Sequence, residues 1–168
     1  MSKKITSTED DNCFYYIDLA HKNQKIFLDK DDFHYLTKLF EKYLTDNASV
    51  ELIAYHLKSN NLGFLFYQSK APGLKLLLNS LIQDYKSYYS KYSDLEIDCH
   101  SFDITAILNS EILEISRKIH TDSKHWKDCE FSSIRAYLYD DKPEWLNKQY
   151  LSSLYNSTVD YFNYLNRT

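Results

Sequence analysis

The sequence predicts an α+β fold, an antiparallel sheet with helices packed on one face, and three observations predict it. Short runs of aromatic and β-branched residues alternate with longer runs whose apolar positions recur every three to four residues. Only two glycines and two prolines interrupt 168 residues, so few segments are forced into loops. Hydrophobic residues make up 43% of the chain, enough for the core of one domain of ordinary size.

The elements follow in order. Residues 1–12 are polar and charged and read as a flexible leader, leaving 13–168 as a single domain. Cys13–Leu19 carries Phe14, Tyr15, Tyr16 and Ile17 and reads as a strand. His21–Lys25 is a polar turn. Asp31 and Asp32 open a helix, because a carboxylate can accept the free N–H groups there and suits the positive end of the dipole. Phe33, Leu36, Phe40 and Tyr43 mark its inner face. Val50–Leu57 and Leu62–Tyr67 are strands joined by the hairpin-length stretch Lys58-Ser59-Asn60-Asn61. After the break at Ala71-Pro72-Gly73, residues Leu74–Tyr92 form a long helix with a stripe of Leu74, Leu77, Leu78, Leu81, Tyr85, Tyr88 and Tyr92. Phe102–Ile107 is a fourth strand, and Glu111–His120 a helix with Ile112, Ile115 and Ile119 inward. Ser132–Leu138 and Lys148–Leu165 are helical. The order strand, helix, strand, strand, helix, strand is that of a ferredoxin-like sheet, here with additional C-terminal helices.

Composition sets limits on function. A formal net charge of −4 argues against indiscriminate nucleic-acid binding, which draws on Lys and Arg contacts to phosphate, but it leaves room for a local basic face. Cys13, Cys99 and Cys129 form no C-x-x-C pair and read as buried free thiols. No apolar run is long enough to span a membrane, and the N-terminus lacks a secretory apolar segment, so a cytoplasmic location is expected.

Several segments together resemble the REP-associated tyrosine transposases. They are Tyr15–Phe27 followed by Asp29–Phe33; Ala54-Tyr55-His56-Leu57-Lys58-Ser59-Asn60-Asn61-Leu62-Gly63-Phe64-Leu65, which is similar to the family's central hairpin; and the helix end Tyr85-Lys86-Ser87-Tyr88-Tyr89-Ser90-Lys91-Tyr92. Arg117-Lys118-Ile119-His120-Thr121-Asp122 falls where the family has R-Y-I-H-x-N, and Phe131–Leu138 looks like its W-S-S-Y-x-A-Y-L. The resemblance runs from about residue 13 to about residue 165 and departs in a shortened loop between Asp122 and Phe131.

The resemblance implies a chemistry that these residues do not supply. Such transposases cut single-stranded DNA with a tyrosine, a weak nucleophile at neutral pH, helped by Mg²⁺ or Mn²⁺ that polarises the phosphate. Two histidines at i and i+2 on a central strand hold the ion, since alternation places both rings on one face. Those positions are Asn61 and Gly63 here, and the tyrosine's counterpart is Lys118. A neutral amide and an absent side chain do not make a divalent site, and lysine cannot form the phosphotyrosine link. No catalytic residue, metal ligand or cofactor is therefore expected.

Other residues read blandly. His56 and His120 are surface or satisfied core histidines rather than ligands. Tyr85, Tyr88 and Tyr92 form a core stripe, and Asp29, Asp31 and Asp32 a helix start. What can outlast catalysis is phosphate binding, and Lys22, Lys25, Lys58, Arg117, Lys118 and Lys124 are the candidate DNA-contacting cations. The expected function is that of a transposase-like domain without strand cleavage that binds hairpin or single-stranded DNA, with a homodimer left open. The alternatives are a non-enzymatic interaction or structural module that has lost DNA binding, and a live nuclease with relocated ligands.

Overall fold

A computed structural model describes residues 10–20, 25–90 and 102–167. Its elements are β1 (Cys13–Ala20), α1 (Lys30–Thr45), β2 (Val50–Lys58), β3 (Asn61–Gln68), α2 (Gly73–Tyr89), β4 (Asp103–Ile107), α3 (Ile112–Thr121), α4 (Ile134–Tyr139), α5 (Gln149–Ser152) and α6 (Thr158–Leu165). The four strands lie in the order β2-β3-β1-β4, with every neighbouring pair antiparallel. The expected sheet and its accompanying helices are present. Because α1 carries the chain from β1 past one strand position to β2, the hairpin partner β3 falls between them and becomes central, along with β1.

The two faces of the sheet differ in chemistry. On one face Ile17, Leu19, Tyr55, Leu57, Leu62 and Phe64 are buried, and α1 and α2 pack there; Phe40 of α1 meets Phe64 at 5.3 Å and Tyr55 at 6.4 Å. In α2, Leu74, Leu77, Leu78, Leu81 and Tyr85 of the expected stripe are buried. Tyr85 donates its hydroxyl to the Ile26 carbonyl at 2.7 Å, and Tyr88 stacks on Tyr35 at 3.9 Å. A ring whose polar tip has a partner can be buried at little polar cost, so these tyrosines are structural. Tyr92 lies outside the described residues, as do Lys22, Cys99 and most of the 21–25 turn.

The acidic cluster before α1 is a capping box, shifted from the expected start. Asp29 is the cap, accepting from the backbone of Asp31 and Asp32, while the buried Asp32 carboxylate accepts from Leu28 N at 2.6 Å and Asp29 N at 3.4 Å. The 148–165 stretch departs from expectation by forming two helices, α5 and α6. Ser153 turns its hydroxyl onto the Tyr150 carbonyl at 2.7 Å, and Ser157 caps α6 through Asp160 N at 3.1 Å. Short polar side chains compete for backbone groups and so interrupt a helical pattern. Cys13 and Cys129 are half-buried free thiols rather than buried ones, one at the start of β1 and one in the loop before α4.

The C-terminal region closes the β2 edge of the sheet. Leu57 N donates to Phe131 O at 2.9 Å, Ser133 N to Tyr55 O at 3.0 Å, and Asn147 N to Leu52 O at 2.9 Å. The Tyr137 hydroxyl reaches the Ile53 carbonyl at 2.6 Å. A bare strand edge is a template for aggregation, and these contacts satisfy it within the molecule. Among the described residues no helix is long and apolar enough to cross a membrane.

Candidate functional site

The second face of the sheet holds a polar network under α3. Cross-strand register sets Asp18 of β1 and His56 of β2 on either side of Gly63 in β3, and paired residues in a sheet share a face. Asn61, two residues before Gly63, lies on that same face. Its amide donates from Nδ2 to Asp18 Oδ1 at 3.4 Å and presents Oδ1 to His56 Nε2 at 2.5 Å. Helix α3 lies above, bringing Lys118 Nζ to 3.8 Å from Asp18 Oδ2 and 4.6 Å from the centre of the Tyr16 ring. Just after α3, Asp122 pairs with Lys58 and stands 3.7 Å from His56 Nε2. The sequence positions Asn61, Gly63 and Lys118 are thus brought together, with Asp18 bridging Asn61 and Lys118.

The hydrogen-bond network assigns the protons. Asp18 accepts from the Asn61 amide nitrogen, so the amide oxygen faces His56, and His56 must donate from Nε2. His56 is only 5% exposed, and its Nδ1 has no hydrogen-bond partner among the described residues. A proton on that nitrogen would be buried and unpaired, which is costly. Burial accordingly pushes the His56 pKa down, against the opposing pull of Asn61 and Asp122.

The neighbouring histidine is different in kind. His120 Nδ1 meets the Tyr161 hydroxyl at 2.7 Å and its Nε2 meets the Ser133 hydroxyl at 2.7 Å. The Tyr161 hydroxyl donates onward to Ser116 at 3.1 Å, so it accepts from Nδ1, and Nε2 accepts from Ser133. Burial lowers the His120 pKa to about 3. His120 is a satisfied core residue.

The donor set does not fit the divalent ion that the resemblance implies. A Cβ placed on Gly63 would lie 2.5 Å from His56 Cε1 and 2.8 Å from its Nδ1. The His56 ring therefore occupies the space that a side chain at 63 would need. The Asn61 amide is committed at both ends. Among the described residues no cluster of three or more His, Cys, Asp or Glu side chains is arranged to hold a metal. Among the described residues, a phenol in contact with Lys118 is Tyr16, whose pKa is pushed up by burial first and then by Asp18, the opposite of what a nucleophile needs.

Among the described residues, the expected DNA-contacting cations differ in setting. Lys118 is exposed above Asp18, whereas Lys58 is tied to the Asp122 carboxylate and to its carbonyl at 3.0 Å. Lys25 is exposed beside the β2–β3 turn, because the next residue, Ile26, donates its N–H to Ser59 O at 2.6 Å. Lys124 is exposed beyond α3. Arg117 leaves the site, lying 5.9 Å from the Tyr164 ring, since consecutive helix residues point about 100° apart. Sequence reasoning missed Asp18 and Asp122 as members of the network. The signal for Asp18 was a lone carboxylate among apolar residues of a strand; that for Asp122 was its place at the end of the segment resembling R-Y-I-H-x-N.

No protein-family model matches the sequence, and no curated protein matches it significantly. A solved structure of a REP-associated tyrosine transposase bound to a REP hairpin superposes with a TM-score of 0.62, covering 88% of this chain and 91% of that one at 12% identity. The chain has the fold of that transposase. At this identity the likeness is one of fold. It covers most of both chains.

Proposed function

We propose that the chain is a transposase-like, cytoplasmic domain that binds hairpin or single-stranded DNA without cutting it and without a resident metal. The observation that carries this reading is the network itself. Where the resemblance calls for two imidazoles and a phenol, Asn61 is spent on His56 and Asp18, Gly63 lies beneath the His56 ring, and Lys118 supplies an exposed ammonium. An ammonium held only loosely by Asp18 can turn to a phosphate oxygen, which needs a cation and no chemistry.

Fluorescence anisotropy with hairpin and single-stranded oligonucleotides at several salt concentrations tests the binding. Binding that weakens with salt is expected, with Lys118→Glu lowering hairpin affinity at least tenfold. Absence of binding at low salt, or a salt-independent isotherm, overturns the reading. Incubation with Mn²⁺ and labelled single-stranded DNA is expected to give no covalent adduct; an adduct would make the chain a live nuclease.

One observation favours a second reading. Lys58 and Lys118 both face carboxylates, as they would in an interaction or structural module that has given up nucleic acid. A stable partner or homodimer in size measurement, together with no DNA affinity, would select it.

A further inference from the structure

Of the buried tyrosines, Tyr55 alone has a hydroxyl with no hydrogen-bond partner among the described residues. Tyr85, Tyr89 and Tyr137 donate to carbonyls, Tyr161 donates to Ser116, Tyr15 accepts from Asp10 N, and Tyr16 bonds Asp18. A buried phenol ordinarily finds such a partner. Tyr55 is 7% exposed, yet its hydroxyl is not sealed in the core. It lines a groove of about 780 Å³ between α1 and residues 128–145. Burial first, then Cys129 and Asp141, push its pKa up to about 12, so at neutral pH it is a donor. Phe131 and Trp145 are walls of the groove; the Trp145 ring is 5.5 Å from that of Tyr55, and Phe131 is held by stacking on Phe33 at 4.5 Å. Trp145 is half-buried, and its indole N–H likewise has no hydrogen-bond partner among the described residues. Past Trp145 the groove continues into a second lobe of about 740 Å³, which shares Trp145 and Lys142 with the first. Together the lobes follow α1 from His34 to Thr45, about 16 Å at 1.5 Å per residue.

We propose that this groove binds an uncharged, proline-rich segment of a partner protein in the extended polyproline conformation. Charge comes first. In the lining, Arg135 pairs with Asp141 at 3.2 Å, Glu130 with Lys30 at 2.7 Å and Lys148 with Asp140 at 2.5 Å, while Glu51 accepts from Asn147. Lys38 and Lys142 are left against Glu41, Asp128 and Glu144. That near-balance, with carboxylates in excess, gives a polyanion no net attraction. Hydrogen bonding comes next. The two free groups are donors, so the ligand must bring acceptors. A peptide entering as a strand needs a free edge, and the outer groups of β2 are already taken by Phe131, Ser133 and Asn147. A helix spends its carbonyls internally. A polyproline helix has no internal hydrogen bonds, so its carbonyls are free, and its rings pack on aromatic side chains. At 3.1 Å per residue the groove holds about five residues of it. Tyr55 and His56 point to opposite faces of the sheet, so this groove is separate from the polar network under α3.

The test reads Trp145 fluorescence in the full chain carrying Trp126→Phe, where Trp145 is the remaining indole. A proline decamer blocked at both ends is titrated beside a Gly-Ser decamer blocked likewise. A saturable change with the proline decamer is expected, and binding of the Gly-Ser decamer at least tenfold weaker. Adding Tyr55→Phe removes one hydroxyl and keeps the ring. It should weaken the proline decamer about fivefold and leave the urea midpoint at or above that of the parent, because the hydroxyl has no internal bond to lose.

No saturable change at millimolar proline decamer overturns the proposal, as does equal binding of the two decamers. So does an unchanged affinity in Tyr55→Phe. A lowered urea midpoint in that variant would mean that the fold itself holds the hydroxyl, which also ends the proposal. Displacement of the decamer by hairpin DNA would assign the groove to nucleic acid and overturn it. Hairpin binding that proceeds unchanged with the decamer in place supports it, and leaves the reading of the sheet face under α3 to its own test.

Discussion

A single methyl group probes how tightly the polar network is closed. Gly63 has no positive φ, so Gly63→Ala brings no backbone strain, only the 2.5 Å approach to His56. The His56 ring has Asn61 fixed on one side and cannot yield freely. Gly63→Ala is expected to cost about 1–3 kcal/mol by overpacking, measured by urea denaturation. Adding His56→Ala should recover part of that loss, a non-additivity diagnostic of direct contact. Protons give a second residue-scale prediction. His56 and His120 are both held neutral, with His120 at about 3 against roughly 6.5 when unfolded. The folded chain then binds fewer protons than the unfolded chain below pH 6.5. Their contribution is complete above that pH and is lost as pH falls, by up to about 1.4 kcal/mol per pH unit for His120. Denaturation midpoints between pH 7.5 and 5 should show the fall, and His120→Gln should flatten it.

Ser133, just before α4, joins three elements through one oxygen. Its Oγ accepts from Tyr55 N at 2.8 Å and donates to His120, tying β2, α3 and α4 together. Ser133→Ala would strand a buried N–H and a buried ring nitrogen, with an expected loss of about 3 kcal/mol on thermal or urea unfolding. Rescue by Thr, which keeps the hydroxyl, would separate lost hydrogen bonding from lost volume. At this scale the sequence was readable where one face of one element carried the signal. The aromatic and β-branched run of Cys13–Leu19 and the leucine stripe of α2 are local patterns; the strand lies where its run puts it, and the helix starts as expected but ends at Tyr89 rather than Tyr92. The division between α5 and α6 was less readable because apolar residues continue through it, and serine side chains decide it by hydrogen bonds that have no periodicity. The positions Asn61, Gly63 and Lys118 came from motif resemblance. Their partners Asp18 and His56 came from strand register, Asp18 meeting Gly63 across two strands far apart in sequence, and Asp122 from the packing of α3 over that face. No pattern within a single element encodes such a pairing.

The whole molecule depends on its C-terminal part for more than bulk. β2 lies at one side of the sheet, and its outer backbone groups are satisfied by Phe131, Ser133 and Asn147. Ending the chain after Cys129 would leave that edge open and remove the hydroxyls that satisfy His120. Such a truncation is expected to associate or precipitate, visible as high-order species in size-exclusion chromatography, whereas the intact chain elutes at a discrete size. The same closure has a consequence during biosynthesis. β2 is complete at Lys58, yet its last covering residue, Asn147, is translated about ninety residues later. At roughly 5–20 residues per second the nascent hairpin waits on the order of 5–20 s with one side unprotected. For that interval the polypeptide is a natural client for ribosome-associated chaperones, and slowing translation within residues 59–131 should lower its soluble yield more than slowing it after residue 147.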